Sequence, residues 1–328
     1  MTSEPRIGIT MGDPAGVGAE VICRALAELT PAERTRVVVF GTGRVLERAN
    51  ALVGAGLSFA SAGSDARDGE VAIVDIAPPG AGMIADGTVS AAAGACSHAY
   101  IVRAVQAALD RDIDVIVTAP INKEALHAAG HRFDGHTELL AHLTGAKSSF
   151  MLLASQTLST IHVSTHVSLS GAIARATPER ELATIEVGNA FLKRLGIARP
   201  RMAVAGLNPH GGENGLFGRD EIERIVPAIE AARRAGIDVT GPLPGDSVFL
   251  RAVKGEFDLV VAQYHDQGHI PTKLIAFDTT INVSLGLPIL RVSVDHGTAF
   301  DIAWSGRAHH ANMSAAIAYA RRIAADRP

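Results

Sequence analysis

Short apolar runs alternate along the chain with longer stretches in which apolar residues recur at helical spacing. This alternation predicts strands followed by amphipathic helices, an α/β arrangement in which a largely parallel sheet is covered on both faces. In the first half, the predicted strands are residues 6–10, 37–40, 71–76 and 115–118, and the predicted helices are residues 19–29, 44–53, 90–109 and 135–145.

The second half begins with two apolar runs, residues 150–154 and 160–163, on either side of a polar stretch. Their spacing predicts a β-hairpin, so we expect a mixed sheet there. The other predicted strands are residues 202–207 and 259–262 and strands near Ile281 and Ile289, with helices at 178–195, 220–235 and 311–325 and a loop at 241–246.

Polar residues follow several of these strands at the point where each one ends. Tyr264-His265-Asp266-Gln267-Gly268 follows residues 259–262, and His166 and His210 also lie just beyond predicted strand ends. Because neighbouring strands lie about 4.8 Å apart, such side chains can converge on one point. Three imidazoles would suit Zn, Co, Ni or Mn with positions open for substrate. The alternatives are separate surface histidines or, for His265 and Asp266, a cap on the next helix.

A second set of residues supplies donors suited to a phosphate or a carboxylate. It comprises His136, Thr137, Lys273, Asn282 and Arg291, which lie in predicted loops or at element ends. Seen singly, Lys273 and Arg291 could equally be solvated surface charges.

Composition narrows the possible functions. The 328 residues are long enough for two packed domains, and 47% hydrophobic with 20% charged residues is typical of a globular protein. A net charge of −4 with interspersed signs predicts neither a nucleic-acid-binding face nor a membrane-binding patch. Cys23 and Cys96 lie in apolar, apparently helical stretches, which favours a reducing compartment. Without a signal peptide or an apolar run of about 20 residues, we expect a soluble, cytoplasmic protein.

A series of motifs then occurs in a recognisable order: GDPAGVG at 12–18, GHTE at 135–138, NPH at 208–210, GPLP at 241–244, YHDQG at 264–268 and SVDHGTA at 293–299. Together they resemble the 4-hydroxythreonine-4-phosphate dehydrogenase family over nearly the whole chain. The resemblance implies an isocitrate/isopropylmalate dehydrogenase-like fold, in which two α/β/α domains flank a central cleft, and a homodimer with its site near the subunit interface. We expect residues 1–130 plus 296–328 to form the cofactor-side domain and residues 131–295 to carry the metal and substrate sites and the dimer interface.

The activity implied by the resemblance is oxidation of a secondary alcohol, followed by loss of CO₂ from the β-keto acid. It requires NAD or NADP and one divalent metal ion (Zn, Mg, Co, Ni or Mn). The implied metal ligands are His166, His210 and His265, which can come from both subunits, and the implied substrate-binding set, largely around the phosphate, is His136, Thr137, Lys273, Asn282 and Arg291. The loop Asp295-His296-Gly297-Thr298 is the implied cofactor neighbour, and Asp246 and Asp266 are candidates for proton transfer or for orienting ligands.

Three kinds of substrate compete within this resemblance. They are 4-phosphohydroxy-L-threonine of pyridoxine biosynthesis, 4-phospho-D-threonate or 4-phospho-D-erythronate of sugar-acid catabolism, and a terephthalate-type cis-dihydrodiol carboxylate. Residues 122–127, 213–218 and 268–269 resemble the catabolic branch, whereas 265–273 also resembles the dihydrodiol enzymes. The complete anion-binding set favours a phosphorylated substrate. Trp304, where the family has a small residue, leaves the choice between NAD and NADP open.

A non-catalytic metal- or phosphate-binding protein is the remaining alternative. The presence of all three histidines beside all five anion-binding residues argues against a scaffold that has lost its activity.

Overall fold

A computed structural model describes residues 4–63 and 67–325 of the chain. Their contacts divide the chain into two compact units, the first made of residues up to 149 together with 287–325 and the second of residues 150–286. The sequence prediction instead assigned residues 131–149 and 287–295 to the second domain. Residues 1–3 and 326–328, which it assigned to the first domain, lie outside the described ranges.

The strands are β1 (Ile7–Thr10), β2 (Val37–Gly41), β3 (Phe59–Ser61), β4 (Val71–Asp75), β5 (Val115–Thr118), β6 (Phe150–Ala154), β7 (Ser159–His162), β8 (Met202–Ala205), β9 (Val239–Leu243), β10 (Leu259–Ala262), β11 (Ile281–Leu285) and β12 (Arg291–Val294). The helices are α1 (Gly18–Ala27), α2 (Pro31–Arg34), α3 (Gly43–Val53), α4 (Ala91–Leu109), α5 (Lys123–Ala128), α6 (His136–Thr144), α7 (Leu169–Arg175), α8 (Pro178–Arg194), α9 (Val226–Arg234), α10 (Gly245–Val253), α11 (His265–Ala276) and α12 (Ala311–Ala325). A short 3-10 turn, Ala81–Met83, a left-handed turn within Pro209–Gly215 and a π-helical turn, Glu221–Ile225, complete the described elements.

The sheet of the first unit is parallel, in the order β3-β4-β2-β1-β5-β12. Strands β1, β2, β5 and β12 are buried along their whole length, as expected when helices cover both faces. Their Val- and Ile-rich sequences fit this environment, since β-branched side chains pack well on a pleated surface. The predicted parallel sheet is therefore confirmed in this unit.

The sheet of the second unit is mixed, in the order β11-β6-β7-β10-β8-β9. Strand β6 pairs antiparallel with both β7 and β11, which confirms the predicted hairpin, and the remaining pairs are parallel. A core formed largely by β8, β10 and α10 includes Ala203, Val248, Phe249 and Val260. The carboxyl ends of β7, β10 and β8 lie side by side at one edge of this sheet.

The last strand, predicted near Ile289, is β12, which begins at Arg291. One predicted loop is wrong. The predicted loop at 241–246 is instead the end of β9 followed by the start of α10. Pro242 is tolerated within β9 because β9 is the edge strand of its sheet.

Both cysteines lie in buried positions on helices, as the sequence predicted. Cys23 lies in α1 and Cys96 in α4, and both thiols are free and buried. Within residues 4–63 and 67–325, no helix combines the length and apolar character needed to cross a membrane.

Candidate active site

Three adjacent strands of the second unit place the predicted metal ligands. His166 follows β7, His265 follows β10 and His210 follows β8, and β10 lies between the other two strands. The ring centroids of His166 and His265 are 5.8 Å apart, a separation that allows both imidazoles to bind one ion. In the described part of this single chain, no three His, Cys, Asp or Glu side chains already form a metal-binding group.

Asp266 orients His265. The Nδ1 atom of His265 is 2.7 Å from the Oδ1 atom of Asp266, so Nδ1–H donates to the carboxylate and Nε2 is left as the nitrogen with a lone pair for a metal ion. A carboxylate in this position is the usual partner of a histidine ligand and raises its basicity. His265 is the first residue of α11 and Tyr264 is its N-cap, so the side chains of His265 and Asp266 do not cap the helix. The histidine donors and their carboxylate partner fit a divalent ion.

Two further histidines lie behind His265 and were missed in the sequence analysis. His269 stacks on His265 with ring centroids 3.6 Å apart, and His162 lies 4.7 Å from His269. Burial lowers the pKa of His162 to about 4 and that of His269 to about 3, so both rings are neutral near pH 7. The spacing of His265 and His269, four residues apart on one helix, is the signal that could have identified this pair.

His210 belongs to a second cavity of the same unit, of about 690 Å³. This cavity is also lined by Asp246 and Asp266, and Asp266 lines the cavity of His166 and His265 as well. Asp266 is therefore common to the surroundings of all three histidines. Asp246 lies in the first turn of α10 and is exposed. It shares the cavity of His210, and the described contacts include no hydrogen bond between the two side chains.

The first unit contains a buried cation at a predicted substrate position. Arg291, at the start of β12, is only 3% exposed, and its Nε and Nη2 atoms donate to the Thr118 hydroxyl at 3.1 and 2.6 Å. Burial lowers the pKa of Arg291 to about 9, so the guanidinium remains charged at neutral pH. Burial and the nearby Arg291 charge hold the pKa of His136 well below its usual value, and His136 Nε2 is buried with no hydrogen-bond partner among the described residues.

The amino end of α6 adds backbone donors to this candidate anion site. His136 and Thr137 are its first two residues, and Gly135, its N-cap, contributes no side chain that could accept from their amides. The first amides of a helix have no intrahelical partner and favour anions. The structure thus brings His136, Thr137 and Arg291 together in the first unit. Lys273, on α11, and Asn282, on β11, belong to the second unit, and Asn282 Oδ1 is a buried acceptor without a partner among the described groups.

The predicted cofactor loop packs against the glycine-rich turn that precedes α1. The Val17 amide donates to the Thr298 carbonyl at 3.1 Å, and a Cβ added to Gly16 would lie 2.9 Å from that carbonyl oxygen. Gly16 is therefore needed for backbone packing. Gly297 has open space around the position of a Cβ, and His296 Nε2 is a buried nitrogen without a partner among the described atoms. His296 Nδ1 donates to the Gly297 carbonyl at 3.0 Å, so the unpartnered Nε2 is an acceptor. Open space beside polar backbone and an available acceptor fits a dinucleotide.

Trp304 is anchored against the same turn. Its indole Nε1 donates to the Pro14 carbonyl at 3.2 Å, and the Arg48 guanidinium lies 3.9 Å above the ring. Asp86 in turn accepts two hydrogen bonds from Arg48. Buried Glu20 accepts from the amide of Trp304 and holds this segment on α1. Trp304 thus fills a groove of the first unit rather than standing free in solvent.

Asp13 is a buried acid that the sequence analysis did not single out. It is fully buried in the turn before α1, and its Oδ1 accepts from the Ala15 amide at 2.8 Å. Its Oδ2 has no hydrogen-bond partner among the described residues. Burial raises the pKa of Asp13 to about 6, against the lowering effect of the Ala15 amide.

The architecture is that of the isocitrate/isopropylmalate dehydrogenase-like α/β class, as the resemblance implied. The family model described as pyridoxal phosphate biosynthetic protein PdxA matches residues 33–320. The chain belongs to the PdxA family.

Individual relatives carry names that distinguish substrates. The chain is 48% identical to the D-threonate 4-phosphate dehydrogenase of Cupriavidus necator, covering 98% of each chain. It is 44% identical to the solved 4-hydroxythreonine-4-phosphate dehydrogenase of Klebsiella pneumoniae, with a TM-score of 0.89 and 98% and 99% of the two chains covered. It is 31% identical to the solved terephthalate 1,2-cis-dihydrodiol dehydrogenase of Burkholderia xenovorans, with a TM-score of 0.71 and 97% and 98% covered.

Proposed function

We propose that the chain is a metal-dependent, NAD(P)-linked dehydrogenase of a 4-phosphorylated hydroxy acid, with 4-phospho-D-threonate as its best candidate substrate. The hydroxyl β to the carboxylate would be oxidised, and the resulting β-keto acid would lose CO₂ to give a three-carbon phosphorylated hydroxyketone. The observation that carries a phosphorylated substrate is the buried, charged Arg291 beside His136. The choice of D-threonate is supported by the 48% identity to the Cupriavidus enzyme.

In this proposal, the substrate phosphate binds at the amino end of α6. Arg291 supplies a guanidinium that Thr118 holds in place, and the first amides of α6 supply further donors. His136, kept neutral by burial, can donate one hydrogen bond from its available ring nitrogen. Lys273 and Asn282 complete the proposed substrate-binding set. Anchoring the phosphate fixes the reacting carbon at a set distance from it.

His166, His210 and His265 would hold the divalent ion, and Asp266 would fix the orientation of His265. A bound ion would lower the pKa of the substrate hydroxyl and stabilise the negative charge that develops as CO₂ leaves. Asp246 shares a cavity with His210 and is the proposed acceptor of the hydroxyl proton. A positioned carboxylate is a common general base for such a proton transfer.

The nicotinamide cofactor would bind along Asp295-His296-Gly297-Thr298. The Asp295 amide donates to Asn312 Oδ1 at 2.7 Å, which fixes the start of this loop. Gly297 permits close approach of the dinucleotide backbone. Trp304, packed under Arg48, would border the cofactor and influence the choice between NAD and NADP.

We further propose a homodimer with the site near the subunit interface. Ile270 and Leu274 on α11 are 63% and 85% exposed, Phe277 just after α11 is 72% exposed, and Leu216 just after the turn of His210 is 73% exposed. Concentrated exposure of large apolar side chains is typical of a protein–protein interface. Ile270 and Leu274 also line the cavity of His210, so a partner on this surface would lie beside the metal ligands.

The experiment that tests the substrate is a side-by-side assay of NAD(P)H formation with four compounds. These are 4-phospho-D-threonate, 4-phospho-D-erythronate, 4-phosphohydroxy-L-threonine and a terephthalate-type cis-dihydrodiol carboxylate. The proposal predicts the highest kcat/KM for 4-phospho-D-threonate. A preference for the dihydrodiol would overturn the phosphate assignment, and turnover of none would overturn the dehydrogenase itself.

A further inference from the structure

A buried carboxylate on a different element holds the segment that leads to His210. Glu221 is 2% exposed and is the first residue of the π-helical turn Glu221–Ile225. Its Oε1 accepts from the amides of Leu207 and Asn208 at 2.7 and 2.6 Å, and its Oε2 accepts from Asn208 Nδ2 at 3.0 Å. One side chain therefore fixes two consecutive backbone amides and one side-chain amide immediately before Pro209 and His210.

Two glycines lie where a side chain would collide with this carboxylate or with Asn208. A Cβ added to Gly212 would lie 2.6 Å from Glu221 Oε2, and one added to Gly218 would lie 2.6 Å from Asn208 Nδ2. A Cβ added to Gly206 would lie 2.9 Å from the Gly211 Cα and in ordinary contact, at 3.4 Å, with Glu221 Oε1. Glycine backbone therefore packs closely against Glu221 and Asn208, and the Asp220 carboxylate also accepts from Asn208 Nδ2 at 3.0 Å.

The turn that carries His210 has an unfavourable conformation that these contacts maintain. His210, Glu213 and Asn214 have φ values of 55°, 43° and 55°, and Gly211 and Gly212 between them are also left-handed. Non-glycine residues rarely adopt this conformation, and it persists only where the surrounding structure enforces it. Glu221 supplies that constraint on the amino side of the turn. π-helical turns such as the one it begins are themselves frequent at functional sites.

From these contacts we infer that Glu221 is a positioning residue for His210, acting through Leu207 and Asn208 to hold the imidazole in place for a divalent metal ion. The inference rests on the proposed function, since it takes His210 as a metal ligand. Glu221 itself does not touch the ion. Outer residues that orient a ligand commonly change metal affinity by about 10–100-fold when they are removed.

The test is calorimetric titration of metal-free protein with Co²⁺ alone, which requires no turnover. The variants are His210→Ala, Glu221→Ala, the isosteric Glu221→Gln and the double variant His210→Ala/Glu221→Ala. The matched control is Glu223→Gln, on the same turn, because Glu223 is exposed and its ion pair is with exposed Arg219. Circular dichroism and thermal unfolding verify that each protein is folded.

We expect Glu221→Ala to raise the Kd about 10–100-fold and Glu223→Gln to leave it unchanged. Glu221→Gln keeps one oxygen for the two backbone amides but turns an N–H toward Asn208, so its loss should be smaller. If Glu221 acts through His210, the double variant should bind Co²⁺ no more weakly than His210→Ala alone. Independent structural damage would instead multiply the affinity losses of the two single variants.

Three outcomes would overturn parts of this account separately. An unchanged Kd for Glu221→Ala beside a raised Kd for His210→Ala would overturn the positioning role alone. If the losses of affinity in the two single variants multiply in the double variant, Glu221 acts independently of His210, and the positioning role is overturned as well. An unchanged Kd for His210→Ala would remove His210 from the metal site and with it the basis of the inference. If Glu221→Ala does not fold, the positioning role is tested with Glu221→Gln and with its double variant with His210→Ala, using the same criteria.

Discussion

The Nδ1 atom of His265 lies 2.7 Å from the Oδ1 atom of Asp266, the next residue in the chain. This contact selects the tautomer in which His265 Nε2 can bind a metal ion. Asp266→Ala should therefore weaken divalent metal binding about 10–100-fold, measured by titration of the metal-free protein. Asp278→Ala, beyond the far end of α11, is the control and should bind as wild type does. Equal affinities for Asp266→Ala and wild type would show that Asp266 does not orient a ligand.

Arg291 should determine the recognition of the phosphate. Arg291→Ala removes the buried guanidinium and should raise the KM for 4-phospho-D-threonate roughly 10–100-fold, because hydrogen bonds to charged groups are the stronger ones. Steady-state kinetics with the phosphorylated substrate and with D-threonate itself test this. The slow reaction of the unphosphorylated acid should be unaffected. An equal loss with both compounds would mean that Arg291 acts on the fold or on the reacting end of the substrate instead.

The lowered pKa of Arg291, about 9, also predicts a pH dependence. The guanidinium is charged below this pKa and loses its charge as pH rises through it, so the KM for the phosphorylated substrate should rise above about pH 9. The KM for the unphosphorylated acid is the internal control and should not show this rise. Parallel pH profiles for the two compounds would contradict the assignment.

Asp13 should make the folded state less stable above about pH 6. Its pKa in the folded protein, about 6, lies above the ordinary value of 3.8, so the folded state binds the proton more tightly than the unfolded state. Stability is therefore lost as pH rises from about 4 to about 6 and does not return above it. Asp13→Asn, which cannot ionise, should raise the free energy of unfolding near neutral pH by up to about 3 kcal/mol, with no gain near pH 4.

Denaturant unfolding at both pH values measures this difference, with exposed Asp68→Asn as the control. The same gain at low and neutral pH would show that the effect of Asn does not come from ionisation of Asp13.

The exposed side chains of α11 should support the proposed dimer. Leu274→Glu places a charge on a side chain that is 85% exposed in the single chain, and we expect it to convert a dimer to monomers in light scattering. Met83→Glu is closely matched, since Met83 is 86% exposed but lies in the first unit, and it should leave the assembly intact. A Leu274→Glu protein with unchanged mass would place the interface elsewhere.

Part of the candidate site could be predicted because it depends on strand ends. His166, His210 and His265 each follow an apolar run, and parallel strands bring their carboxyl ends to the same edge of a sheet. Sequence could not give the order in which the strands pair, which places β10 between β7 and β8. That order depends on packing between distant segments.

Other residues gave no local signal. Thr118 contacts Arg291 across neighbouring strands, 173 residues apart in the chain, and a threonine at the end of a strand is unremarkable in sequence. Glu221 likewise resembles a solvated residue of an amphipathic helix in sequence, because its partners Leu207 and Asn208 lie in the connection after β8, 13 and 14 residues earlier. Burial of a charged residue becomes visible only when tertiary contacts are known.

The most direct test of the central claim is NAD(P)H formation from 4-phospho-D-threonate, followed together with CO₂ release, before and after removal of divalent metal by a chelator. The account predicts equal amounts of reduced cofactor and CO₂, loss of both on chelation, recovery when metal is restored, and no recovery for a folded His210→Ala protein. Turnover that survives chelation, or full activity in His210→Ala, would contradict it.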